Sequence, residues 1–129
     1  MCKNYDVNLF VYGTLRDPAV INRLAALSLQ VEEGFDPADA YKFMGKAEVS
    51  GVMYSAKHCP FPAADFKAKG TVRGEVVKVS IELYLVIKHY EGELYKPVSV
   101  VAKMVEGGEE VHCASFEGKT VILNYLKRK

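Results

Sequence analysis

The chain has 129 residues, half of them apolar and 26% charged, with a formal net charge of +1 at pH 7. That length fits one domain, residues 1–129, large enough to bury a core, and the near-neutral charge argues against nucleic acid or a membrane as a partner recruited by bulk charge. No apolar run reaches bilayer-spanning length and the N-terminus lacks the apolar stretch of a signal peptide, so a cytoplasmic location is the expectation, with Lys127-Arg128-Lys129 read as a solvated terminus.

Leu9-Phe10-Val11-Tyr12 is an apolar run of strand length, rich in aromatic and β-branched types, and Gly13 stops it. Asp17-Pro18 then opens a helix, with Asp as N-cap and Pro at the first helical position. The short loop between them, Gly13 to Arg16, is either a plain structural turn or a set of backbone N–H groups able to converge on an anion or carboxylate. Val20, Ile21, Leu24 and Leu27 form one face of the helix that follows. Gln30 to Gly34 has the makings of a short strand, and Asp36-Pro37 caps a brief helical turn through Tyr41. The stretch from Phe43 to Tyr54 is extended, with Ala47, Val49 and Gly51 on one face and Lys46, Glu48 and Ser50 on the other. Its small residues point to a bulge, a close backbone approach or a tight barrel corner.

Cys59-Pro60-Phe61-Pro62-Ala63-Ala64 is expected to be a loop, because its two prolines exclude the interior of a central strand. Val72 to Val79 is a strand. Ser80 caps a helix from Ile81 to about Tyr90, whose apolar face is Leu83, Val86, Ile87 and Tyr90, and Gly92 ends it. Tyr95–Val105 and Val111–Phe116 form a hairpin turned at Glu106-Gly107-Gly108-Glu109. After a turn at Gly118-Lys119-Thr120, the apolar segment Val121 to Leu126 suits a strand or a helix equally. The pattern is α+β: a small mixed or antiparallel β-barrel with flanking helices.

Three cysteines, Cys2, Cys59 and Cys113, without CxxC spacing favour reduced thiols over a disulfide framework or a zinc site. Cys59 and Cys113 each follow a histidine, His58 and His112. In an extended chain such neighbours point to opposite faces, so adjacency separates them, and a Cys–His dyad would need a partner from across the fold.

Glu91 is the carboxylate of interest. It lies at the end of the second helix, where the dipole opposes an acidic group at a cost of about 0.3–1 kcal/mol if the group is exposed. One reading is a solvated surface glutamate. The other is a partly buried acid in a barrel mouth, shifted toward neutrality as acid–base work at pH 7 requires.

Tyr12-Gly13-Thr14-Leu15, Gly51-Val52-Met53-Tyr54, Phe61-Pro62-Ala63, Val72-Arg73-Gly74-Glu75-Val76, Ile87-Lys88-His89-Tyr90-Glu91-Gly92, Tyr95-Lys96-Pro97 and Ala114-Ser115-Phe116 follow one another in order. Any one is a weak signal. The ordered set, from about Leu9 to Phe116, resembles the γ-glutamylcyclotransferase-like superfamily. The resemblance implies a small β-barrel with flanking helices. It implies a substrate loop of Tyr12, Gly13, Thr14 and Leu15 that holds the glutamyl group largely through its backbone, Glu91 as the catalytic acid–base, and Tyr95 as a pocket wall or hydrogen-bonding group.

The chemistry so implied is release of 5-oxoproline and an amine from a small γ-glutamyl amide, by attack of the substrate's own α-amino group, with no metal and no cofactor. Two positions depart from the family pattern: Lys88 stands where Asp is usual, and Pro97 where Arg is usual. They leave a second reading, a non-catalytic small-molecule-binding module of the same fold. The released amine and the oligomeric state are not written in the sequence.

Overall fold

The computed structural model describes residues 7–28, 36–56 and 59–127. Gln30 to Gly34, Cys2 and His58 lie outside the described residues. The described residues form seven strands, β1 (Val7–Val11), β2 (Tyr41–Ser50), β3 (Val52–Ala56), β4 (Cys59–Asp65), β5 (Thr71–Val79), β6 (Tyr95–Met104) and β7 (Glu110–Gly118), and three helices. These are α1 (Pro18–Ser28), α2 (Ile81–Glu91) and α3 (Thr120–Lys127). Strands β1-β5-β2-β6-β7 close into a barrel, while β3 and β4 form a separate two-stranded ribbon. All neighbours pair antiparallel except β1 and β7, which meet in parallel at Leu9 and Ala114, so the barrel is mixed.

The run Leu9-Phe10-Val11 is continuously apolar because β1 is buried on both faces. Phe10 points into the barrel with Val72, Val76, Ala47, Val49, Val100, Ala102 and Cys113. Leu9 and Val11 point outward into a second core with Val77, Val79, Leu15, Ile21, Leu24, Leu83, Ile87 and Phe116. That outer layer is where α1 and α2 pack. Asp17 Oδ1 accepts from the Ala19 N–H at 2.9 Å at the start of α1. Ser80 Oγ accepts from the Leu83 N–H at 3.2 Å at the start of α2, in a buried setting. Removing this cap in Ser80→Ala should lower stability by about 1 kcal/mol, read as a lower denaturant midpoint with an unchanged m-value. Leu27, expected on the apolar face of α1, is instead 55% exposed, and Ala25 takes its place in the core.

The extended stretch from Phe43 breaks at Gly51 into β2 and β3. Ala47 and Val49 are buried as the alternation predicts, and the β2–β5 register slips between Phe43 and Gly45. The loop expected at Cys59–Ala64 is corrected to strand β4. Tyr54 pairs with Ala63 and Ala56 with Cys59, so residues 60–62 lie opposite the single Ser55. Both prolines therefore fall in a bulge, where no ladder N–H is needed. The undecided segment Val121 to Leu126 is helical in α3, and buries Ile122, Leu123 and Leu126 against Ala63 of β4.

His112 is exposed and Cys113 buried, as opposite faces of β7 require. Burial pushes the Cys113 thiol up to about 11, which keeps it inert. Among the described residues no cluster of His, Cys, Asp or Glu is placed to hold a metal ion, and no helix is long and apolar enough to cross a membrane.

Candidate active site

The first strand ends at Val11, and after Tyr12 the chain turns at once. Gly13 has φ 70°, in the region that favours glycine. A Cβ there would also lie 2.8 Å from Cγ of Pro62. The loop expected from Gly13 to Arg16 is one turn of 3-10 helix, and it delivers the chain to α1. Arg16 Nε lies 3.4 Å from Glu75 Oε1, which ties the turn to β5.

The second component arrives from α2. The helix ends because Gly92, at φ 73°, caps it with its N–H donating to the Lys88 carbonyl. Glu91 is the last helical residue and is half-buried. The chain then makes one 3-10 turn, Gly92–Leu94, and enters β6 at Tyr95.

Turn and helix end face a common cavity of about 380 Å³. Phe10, Val11, Tyr12, Leu15, Pro62, Tyr90, Glu91, Gly92, Glu93, Leu94, Tyr95, Ser115 and Phe116 line it. Of the residues singled out in the sequence, Tyr12, Leu15, Glu91 and Tyr95 meet here. Gly13 packs on Pro62 and is not among the lining residues, and the Thr14 side chain lies outside the described residues. Tyr90, expected in the apolar face of α2, stands at this cavity and is 48% exposed. Lys88 and Pro97 are both exposed, and neither lines the cavity.

Burial raises the Glu91 carboxyl from its ordinary 4.5 to about 7. The wall is apolar and aromatic, which disfavours the charged form. A group with that affinity both accepts and donates a proton near neutral pH, and it opens onto a space large enough for a small molecule.

The Tyr12 hydroxyl donates to the Phe116 carbonyl and accepts from the Ala64 N–H at 3.2 Å. The Tyr95 hydroxyl donates to the Pro62 carbonyl at 2.8 Å. Burial first, then the nearby carboxylates of Glu91 and Glu117, keep Tyr12 a neutral phenol well above its ordinary range. Glu117 was not anticipated from the sequence. It is 4% exposed, accepts from the Phe66 N–H at 2.8 Å, and pairs with Lys96 Nζ at 3.5 Å. Its signal was the alternation Cys113, Ser115, Glu117, which places an acid on the inward face of β7. Pro62 and Phe116 belong to the ordered sequence pattern, which assigns them no role. Both are cavity wall.

The closed five-stranded barrel with its three flanking helices matches the fold of γ-glutamyl cyclotransferase-like structures. The chain belongs to the γ-glutamyl cyclotransferase, AIG2-like family, whose pattern matches residues 9–123. Among solved structures it is similar to an Arabidopsis thaliana protein at 26% identity and TM-score 0.66, over 87% of this chain and 61% of that one. The chain thus spans about three fifths of the Arabidopsis protein's length. It shares the fold of a Mus musculus AIG2-like protein, at 22% identity and TM-score 0.65, covering 88% of this chain and 78% of that one. It also shares the fold of a γ-glutamyl cyclotransferase, at 14% identity and TM-score 0.58, covering 88% and 66%. No curated protein sequence matches it.

Proposed function

We propose that the protein cleaves a small γ-glutamyl amide, releasing 5-oxoproline and a free amine, with Glu91 as acid and base. The observation that carries this reading is a carboxyl group raised to about 7 inside the cavity that the first-strand turn also lines. Family membership points the same way.

In this reaction the substrate's α-nitrogen attacks its own γ-carbonyl carbon. A carbon–nitrogen bond forms, closing a five-membered lactam, and the bond to the departing nitrogen breaks. Over one turnover two protons leave the α-ammonium and two arrive at the departing nitrogen, so the amine leaves as an ammonium ion. Glu91 would carry them in sequence, taking a proton in its ionised form and returning it in its neutral form. The turn's contribution is conformational. Tyr12 and Leu15, the residues on either side of the Gly13–Thr14 turn that line the cavity, would hold the glutamyl group folded back, so that nucleophile and carbonyl meet at high effective concentration. Tyr95 would close the opposite wall. Lys88 and Pro97 do not line the cavity, so neither side chain intrudes on the space a substrate would occupy.

The test is 5-oxoproline release from a panel of γ-glutamyl amines and γ-glutamyl amino acids. Turnover of at least one compound is the expected result. Saturable binding with no product from any of them would favour the binding module.

A further inference from the structure

The β3–β4 ribbon forms one side of the cavity through Pro62, yet it is not laddered into the barrel. Three side-chain bonds to alternate residues of β4 and its exit, Pro62, Ala64 and Phe66, tie it to the barrel mouth. The Tyr95 hydroxyl donates to the carbonyl of Pro62 at 2.8 Å. The N–H of Ala64 donates to the Tyr12 hydroxyl at 3.2 Å. The N–H of Phe66 donates to Glu117 at 2.8 Å. Between these bonds the backbone is seated without room to spare. A Cβ on Gly13 would meet the Pro62 ring at 2.8 Å, and one on Gly118 would meet Ala63 Cβ at 2.7 Å.

We propose that Tyr12, Tyr95 and Glu117 are positioning residues that clasp β4 to the barrel rim and so fix the wall against which the substrate is held. A phenol has one proton to give. Tyr12 gives its proton to the Phe116 carbonyl and Tyr95 gives its to Pro62, so both hydroxyl donors are committed to the protein's own backbone. The charged neighbours fit this arrangement. Glu91 and Glu117 both act against ionisation of Tyr12, which keeps the clasp's donor protonated. Lys96 balances Glu117 from the solvent side, so the buried carboxylate is not left without a counter-charge. Tyr12 is also held edge-on to Phe66, with ring centroids 6.1 Å apart, so the residue whose N–H donates to Glu117 braces the one that accepts from Ala64.

The kinetic arm of the test rests on the function proposed above; the exchange arm does not. In the full-length protein, Tyr12→Phe, Tyr95→Phe and Glu117→Ala are each expected to speed amide hydrogen exchange at Ala64 and Phe66 by about tenfold or more, while Val76 and Val77 in the barrel keep their rates. Glu117→Gln retains an oxygen for the Phe66 N–H and should return exchange there toward the wild-type rate. With a γ-glutamyl compound that is turned over, Tyr95→Phe should raise KM about five- to tenfold, change kcat by less than about threefold, and leave the pH midpoint of kcat where it was. Unchanged exchange at both amides, or equal acceleration throughout the barrel, would overturn the clasp. So would a Tyr95→Phe variant with unaltered KM and kcat reduced a hundredfold, since the phenol would then be acting on the substrate. If no compound is turned over, the function proposed above fails and the exchange rates still decide the clasp.

Discussion

Glu91→Gln should lose turnover and gain stability in the same variant. Glutamine matches the shape of glutamate but moves no proton, so kcat should fall by about 10²–10⁴-fold, the usual range for a general acid–base. In the wild type, kcat/KM should fall tenfold per pH unit below about 7, because in the proposed reaction the ionised carboxylate takes the first proton and burial has raised its affinity for protons. The stability effect follows from the same shift. The folded protein holds the Glu91 proton up to about pH 7, whereas the unfolded chain holds it only to the ordinary 4.5. Between those values the folded state binds more protons, so the contribution of this group to stability is full below 4.5 and is lost as pH rises through 7. Above pH 7 the burden of the buried charge is about 3 kcal/mol. Glutamine removes it, so at pH 8 the variant should melt on the order of 5–10 °C above wild type, and at pH 4 the two should coincide. Melting curves at the two pH values check this without any substrate.

Gly74→Ala should be among the most damaging single substitutions in the barrel. Gly74 sits in β5 opposite Ala47 of β2, with β1 on its other side. A Cβ there would lie 2.2 Å from the Val11 carbonyl oxygen and 2.8 Å from Cζ of Phe10. The first contact is with backbone, which a rotamer change cannot relieve. The cost should reach about 3 kcal/mol, the upper end for overpacking, because β1 would have to move away from β5. The displacement would also shift Tyr12 and the turn, so the loss should appear both in the denaturant midpoint and in binding of 5-oxoproline. This steric demand gives a physical reason for glycine within Val72-Arg73-Gly74-Glu75-Val76.

The parts of the fold that could be read from the sequence are those where local pattern and tertiary setting agree. The Leu9–Tyr12 run is apolar on both faces because the barrel lies on one side and the helices on the other. Ser80, Leu83 and Ile87 mark α2 because its cap and its buried stripe fall at helical spacing. The Asp17-Pro18 start of α1 and the Gly92 stop of α2 were legible for the same reason, and they bracket the two pieces that line the cavity. Beta-strand β4 was not legible, since its prolines are tolerated only because a three-against-one bulge removes the need for their N–H groups. That bulge is a property of the pairing with β3, not of the segment itself. Helix α3 was ambiguous because Val121 to Leu126 carries apolar residues at both periods, and only the Ala63 surface selects the face with Ile122, Leu123 and Leu126. The parallel closure of β1 on β7 joins residues about a hundred positions apart, Leu9 and Ala114, and no local signal encodes it. At the site, Glu91 stood out by its position at a helix end. The commitments of the Tyr12 and Tyr95 hydroxyls did not, because their partners are backbone atoms of Phe116, Ala64 and Pro62 that any sequence would supply.

Burial beside the first-strand turn raises the Glu91 carboxyl into the neutral range. Carbon-13 NMR of the glutamate side-chain carboxyls, with Glu91 assigned by its absence in Glu91→Gln, reads that affinity directly. A titration midpoint near 7 is the predicted result. A midpoint near the ordinary 4.5 would mean a carboxylate bathed in water, and would contradict the account.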